Sequence, residues 1–459
     1  MKLTLTEIIT ATQGVLLQGN ENQVVESLST DSRTIQNGEA FLCLKGESFD
    51  GHDYIEEVIQ KGASLIIFEK NRFQNFSSHP SLSFLEVQNS LESLGNIARS
   101  WRRKFSIPLV AIGGSNGKTT TKDMSAAVLS AEYVTLATEG NLNNLIGVPK
   151  MLLKLKASHQ AAVIEMGMND FGEMKRLTEI AEPTVGLLTN TGFEHMEKMK
   201  DLEGVARSNA ELFQSMPSGT LALINQDDAY ISKMTTKAFK ISFGISNPSD
   251  VYCVAHQNSP DGIQLEVKYL GKTYSFESSA IGPANVKNAL AAIAVGFGLG
   301  LDAKKIQKGL KTFQARSMRM EQLRTKSYLI LNDCYNANPS SMEIALQTLQ
   351  QLKAGAPGLA VLGEMKELGD FVLEGHRQVG KSVAQHHIHY LIVVGPYANE
   401  VKAAAQEAGL PSNQIFAASS QEEIFETLQI WAPLAKTILV KGSRGARMER
   451  VTEFLMRSC

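Results

Sequence analysis

An apolar run, Ile107–Gly113, leads directly into Gly114-Ser115-Asn116-Gly117-Lys118-Thr119-Thr120. Small residues let the backbone bend until several N–H groups point inward. A helix starting at Lys118 would add partial positive charge, and the two together make a cradle for phosphate. Lys118 is placed to reach the terminal phosphates of a nucleotide, and the Thr119 hydroxyl to take one position on Mg²⁺. The spacing departs from the usual G-x-x-x-x-G-K-[ST] loop. Ile112 stands where the first glycine belongs, which leaves G-x-x-G-K-T from Gly114 to Thr119. An ordinary strand–helix turn with a solvated lysine is the alternative, but Gly-Lys-Thr directly after an apolar strand argues against it.

A cation bridging phosphates needs more than one protein oxygen. Glu165 lies near the end of the next strong apolar run, Ala161–Gly167, where open α/β sheets gather their ligand groups. His195 follows the run Thr184–Gly192 after a short loop. Taken singly, Glu165 also suits a helix cap and His195 a surface position. With Lys118 and Thr119 at successive strand ends, they read as one Mg·ATP site. Nitrogen is an uncommon ligand for so hard a cation.

The elements that must hold these groups fall into three blocks, in keeping with a prior of about 150 residues per domain. Residues 1–86 carry short strands (Ala40–Gly46, Ala63–Lys70) around a helical pattern at Tyr54–Lys61, and a polar run, Asn71–Ser81, reads as a loop near the boundary. Residues 87–314 open with a helical stretch, Asn89–Lys104. After the glycine loop comes a helix with Met124, Ala127, Val128 and Ala131 on one face. The strands Ala161–Gly167, Thr184–Gly192 and Thr220–Asp228 follow, then a hairpin over Ile263–Ser278 and a helix from about Asn285. Residues 315–459 alternate again, with strands at Tyr328–Tyr335, Gly358–Met365, Tyr390–Gly395 and Thr437–Ser443. This is an α/β protein whose central parallel sheet is covered by helices on both faces.

Composition excludes several other classes. With 45 basic and 47 acidic side chains the net charge is -2, too small to draw in nucleic acid or an anionic membrane. Apolar residues at 43% and charged residues at 20% suit a soluble globular protein. No run of about 18 apolar residues suggests a membrane span, and the N-terminal residues lack the pattern of a signal peptide. Cys43, Cys253, Cys334 and Cys459 show neither a CxxC pair nor metal-ligand spacing. Reduced thiols in a cytoplasmic protein are expected.

These residues resemble the Mur ligase superfamily, in which G-x-x-G-K-T is the usual form of the loop. The resemblance runs through Thr30–Tyr54, Gly113–Met124, Thr138–Pro149, Glu165–Met174, Asn332–Met342, Val361–Asp370 and Val440–Val451. Within the superfamily it is nearest the branch that joins D-alanyl-D-alanine to UDP-N-acetylmuramoyl-tripeptide. The resemblance implies three domains: a small mixed α/β domain for the UDP end of the substrate, a central ATP-binding domain, and a Rossmann-like α/β domain that closes over the nucleotide. It implies ATP and Mg²⁺, with Thr119, Glu165 and His195 on the metal, and a chain that works as a monomer on small-molecule substrates. It further implies that Asn285 and Asn288 meet adenine, Arg319 the phosphates and Asp333 the ribose. Ser32, Arg33 and Lys45 would meet the UDP end. Asn143, Asn144, Asn336, Asn338, Lys441, Ser443 and Arg444 would lie toward the reacting substrates.

Several positions depart from the family pattern. Asn209 stands where the family carries a lysine, modified to a carbamate, that supports a second Mg²⁺; Glu211 is a nearby substitute ligand. Ala284, Met318 and Gly114 replace the usual histidine or asparagine, glycine and threonine, and the extra glycine is expected to loosen the loop. Rival readings are another amide ligase of the superfamily, of the folylpolyglutamate synthetase or third-residue-adding type, and a nucleotide-binding regulator without turnover, which Asn209 favours.

Overall fold

The computed structural model describes residues 1–457; Cys459 lies outside the described residues. Three main sheets, of five, nine and six strands, follow one another along the chain, beside a small two-stranded ribbon near the N-terminus. The five-stranded sheet orders Val15–Gln18, Ser83–Val87, Leu65–Glu69, Ala40–Leu42 and Leu28–Ser29. The polar run 71–81 is a crossover inside this sheet, because Ser83–Val87 returns parallel to Leu65–Glu69. It therefore does not mark a domain edge. Its few apolar groups are spent there: Phe73 and Phe76 pack against Phe84.

The nine-stranded sheet positions the glycine loop. Leu109–Gly113 sits between Ala161–Glu165 on one side and Val185–Leu188 on the other, all parallel. The strand that follows the loop helix, Thr135–Ala137, lies beyond Ala161–Glu165 at the sheet edge. Chain direction across the sheet thus reverses at Leu109–Gly113. At such a switch point the loops leaving the strands diverge and open a crevice. Glu165 ends one flanking strand, and residues 189–195 leave the other.

The sheet is not parallel throughout. Val251–Ser259 adds parallel to Phe239–Gly244, and Gly262–Tyr269 and Lys272–Ser278 then fold back antiparallel. The expected hairpin is present, and it continues a longer strand, Val251–Ser259, whose second half is polar and exposed. The C-terminal sheet is extended at one edge by Glu321–Arg324, antiparallel, and at the other by Ile415–Ala418, parallel. Both are edge strands, and each is only four residues long.

Helix Lys118–Ser130 lies against the sheet and under helices Pro283–Gly298 and Ala303–Thr312, so it is buried on more than its apolar stripe. Thr121, Lys122 and Ser125 are buried beside Met124 and Val128, whereas Ala127 and Ala131 are only partly covered. Helix Ser90–Arg102 is N-capped by Asn89 and joined to the end of helix Glu173–Ala181 by Glu182. That carboxylate accepts from Arg99 Nε at 2.8 Å and from Arg103 Nη2 at 2.6 Å. Burial raises the Glu182 pKa, the two guanidinium groups lower it more, and the net shift is downward. The free cysteines Cys43, Cys253 and Cys334 are buried, and burial pushes their thiol pKa values up, to about 11 for Cys253 and about 12 for Cys334. They are unreactive packing groups. Among the described residues no helix is long and apolar enough to cross a membrane.

Candidate active site

The glycine loop is held open by the segment leaving the neighbouring strand. Ser115 N–H donates to the Asn190 carbonyl at 2.9 Å, and Asn116 N–H to the Asn190 side chain at 3.0 Å. Asn190 Nδ2 returns a bond to the Asn116 carbonyl at 2.8 Å, and Ser115 Oγ accepts from Gly192 N–H at 2.9 Å. Gly114 has φ +109°, and a Cβ there would lie 2.4 Å from Thr189 Oγ1 and 2.7 Å from its backbone nitrogen. Gly114 does not loosen the loop, as the sequence suggested. It is the residue that lets Thr189 close against it. Gly117, at φ +81°, gives the same close passage to Asn288 Oδ1.

Lys118 Nζ bonds the carbonyls of Gly114 and Ser115 and, at 3.1 Å, Glu194 Oε2. Thr119 is buried at the head of the helix beside Thr120, and Thr121 Oγ1 donates to Asn288 Oδ1 at 3.2 Å. Asn288 in turn donates to Asn285 Oδ1, and Asn285 to the Ile281 carbonyl. Asn288 therefore docks helix Pro283–Gly298 against the end of the phosphate loop, and Asn285 braces Asn288.

Glu165 is buried. Its backbone N–H is held by Thr138 Oγ1 at 2.9 Å and its Oε1 by Asn143 Nδ2 at 2.8 Å, but buried Oε2 has no partner. Glu194 likewise has one buried oxygen, Oε1, without a donor. An unpaired buried carboxylate oxygen is costly, and a hard cation satisfies it. Among the described residues no three His, Cys, Asp or Glu side chains gather into a metal cage. The set suits an ion such as Mg²⁺, which commonly takes one or two carboxylates and draws its remaining ligands from phosphate and water. Both atoms of the Asn209 carboxamide are also buried and unpartnered. Glu211 is not free to serve in its place: it accepts from the N–H groups of Gly172 and Lys175 at the start of helix Glu173–Ala181.

The other expected residues divide by location. Asn144 caps helix Gly147–Leu153 through the N–H groups of Ile146 and Gly147. Asn338 caps helix Pro339–Leu352 and reaches the phosphate loop, donating to Asn116 Oδ1 at 3.2 Å. Asn336 folds onto the Ala337 N–H. Asp333 accepts from Met320 N–H and pairs with buried Lys441, which also donates to the Asn336 carbonyl at 3.0 Å. The Arg319 guanidinium lies 3.9 Å from the centroid of the Tyr335 ring. Its neighbours Met318 and Met320 are both left-handed, at φ +61° and +51°. Ser443 Oγ is buried without a partner, and exposed Arg444 contacts Met318 Sδ and Glu449. In the first domain Arg33 grips Asp31 with two bonds, which holds that carboxyl far below the usual range. The Ser32 carbonyl accepts from Lys61, and Lys45 stands exposed opposite Asp50.

Sequence reasoning missed Glu194 and the Lys122–Asp123–Arg316 group. Lys122 is fully buried and bonds the Thr138 carbonyl and Asp123, and burial lowers its pKa. Arg316, between the second and third sheets, clasps Asp123 at 2.7 and 2.8 Å. Their signal was present in Thr120-Thr121-Lys122-Asp123, just past the loop, but nothing in spacing says that a charged pair there is buried.

Matches to known proteins extend over most of the chain. Residues 24–102 match the Mur ligase family catalytic domain, 112–296 the Mur ligase middle domain, and 318–444 the Mur ligase glutamate ligase domain. The chain belongs to the Mur ligase family. A family member from Synechocystis sp., a UDP-N-acetylmuramoyl-tripeptide–D-alanyl-D-alanine ligase, is 32% identical over 99% of this chain and 98% of its own length. The Mur ligase MurF from Acinetobacter baumannii superposes with a TM-score of 0.91 at 30% identity, covering 100% of this chain and 99% of its own. MurF from Thermotoga maritima in complex with ADP gives 0.84 at 25% identity, over 94% and 97% of the two chains. The three-domain Mur ligase architecture is therefore that of this chain.

Proposed function

We propose that this Mur ligase joins D-alanyl-D-alanine to UDP-N-acetylmuramoyl-tripeptide at the expense of ATP, giving the pentapeptide precursor of peptidoglycan, ADP and phosphate. The observation that carries the reading is the phosphate loop at the sheet's switch point, with Lys118 bonded to Glu194 and one buried, unpartnered oxygen on each of Glu165 and Glu194. Full-length relatives of the same activity support it.

The chemistry follows from the need to form an amide in water. A carboxylate is a poor electrophile. Its oxygen attacks the γ-phosphorus of ATP, the bond to the β-phosphate oxygen breaks, and ADP leaves an acyl phosphate. The amine of D-alanyl-D-alanine then attacks the acyl carbon, phosphate departs and the nitrogen loses a proton. Lys118 and the loop N–H groups neutralise charge on the transferring group and hold it in line. Thr119, Glu165 and His195 are the proposed ligands of Mg²⁺, which when bound adds charge neutralisation across the phosphates. Ser115, Asn116, Gly117 and Thr120 complete the phosphate cradle, and Asn285, Asn288, Arg319 and Asp333 line the nucleotide. Closure of the third domain excludes water from the acyl phosphate.

The division of labour runs 1–86 for the UDP end, 87–314 for ATP and 315–459 for closure and the incoming amine. The chain acts as a monomer in the cytoplasm. A phosphate-release assay tests the activity: release must require both UDP-MurNAc-tripeptide and D-alanyl-D-alanine. Release driven by a different amino acid would point to a sister ligase, and ATP binding without turnover to a regulator.

A further inference from the structure

The second and third domains meet at the mouth of the phosphate loop. Besides the Asn338–Asn116 bond, Phe193 N–H reaches Ser340 Oγ at 3.4 Å. The Phe193 ring stacks on Phe371 with centroids 5.2 Å apart and planes at 18°. One contact in this set joins ionisable side chains: His195 Nδ1 lies 3.0 Å from Glu367 Oε2. Its backbone is unusual at both ends. His195 has φ +49° and Glu367 φ +62°, a left-handed conformation that residues with side chains rarely adopt. The Glu367 side chain is 63% exposed, and so exposed an ion pair adds little stability. The His195 backbone heads the short helix Met196–Met199, its carbonyl accepting from Lys198 and Met199 N–H, but nothing in that role requires Glu367 to be turned toward its ring.

A carboxylate on Nδ1 makes that nitrogen the N–H donor and leaves the lone pair on Nε2. Among the described residues Nε2 of His195 makes no hydrogen bond, and the adjacent Glu194 is the carboxylate on Lys118. We propose that Glu367 is a positioning residue of the reaction: it locks the His195 tautomer and aims Nε2 at the nucleotide-bound cation. Because Glu367 belongs to the third domain, His195 is oriented only when that domain is closed. Cation binding and closure are then one coupled equilibrium, each favouring the other by the same factor. The inference rests on the reading of His195 as a cation ligand.

The test uses the full chain with a non-hydrolysable ATP analogue and Mn²⁺ as the probe. Bound Mn²⁺ is read by electron paramagnetic resonance, and closure by small-angle X-ray scattering. E367A is expected to weaken Mn²⁺ binding to the analogue complex about tenfold. It should also lower the closed fraction of the metal-bound analogue complex. E367Q, whose amide oxygen still accepts from Nδ1–H, should recover most of the loss. H195A should lose at least as much as E367A, and combining the two should cost nothing further. If H195A loses Mn²⁺ affinity and E367A does not, the positioning role is wrong and the ligand reading stands. If H195A itself binds Mn²⁺ normally, the ligand reading fails and takes the proposal with it.

Discussion

Single residues decide whether the loop can hold phosphate. Replacing Lys118 by alanine should lower kcat by about 10²- to 10³-fold, the loss usual when one transition-state charge partner is removed, as read by phosphate release at saturating substrates. Gly114→Ala tests a different property. A Cβ at φ +109° would strike Thr189, so the variant should lose about 1–3 kcal/mol in urea unfolding, together with affinity for ATP. Lys118, Thr119 and Glu165 could be named as candidates from the sequence because the chemistry proposed for them depends on type and spacing along strand ends. Glu194 was not, since only folding brings it to Lys118, 76 positions earlier in the chain. Gly114 was legible as a glycine, but what it makes room for comes from another strand.

At the level of elements, the alternation of strands and helices could be read from apolar runs wherever a strand is covered on both faces. It failed for Glu321–Arg324, a short strand of mostly polar residues, and for Val251–Ser259, whose apolar start gives way to a polar, exposed second half. The link between helix Ser90–Arg102 and helix Glu173–Ala181 makes a pH-dependent prediction. The folded pKa of Glu182 is depressed, so the stability it contributes is complete above its unfolded value and lost as pH falls through the folded one. Glu182→Gln should therefore cost about 1 kcal/mol near neutral pH. The gap in urea midpoint from wild type should narrow below about pH 4.5 and close in stronger acid. A gap that widened with acid would contradict the assignment. At the other end of the site, Asn338→Ala removes the cap of helix Pro339–Leu352 and the bond to Asn116 together. It should lower Tm by an amount equivalent to about 1 kcal/mol and raise the KM for ATP.

Over the whole molecule, one apolar core runs continuously between the first and second sheets, the third sheet has cores of its own, and the second and third are joined by the segment carrying Arg316. Domain number was readable from chain length and from breaks in the strand pattern. The way the domains face each other was not, because it depends on a few contacts such as Phe193 on Phe371. Phe371→Ala should leave ATP binding nearly intact. It should expand the radius of gyration of the nucleotide complex and slow turnover, as scattering and steady-state kinetics would detect. The Arg316–Asp123 clasp has a kinetic corollary. A swinging half anchored at one such pivot must push solvent aside in every cycle, so thickening the medium with sucrose should drag on turnover wherever that swing sets the pace.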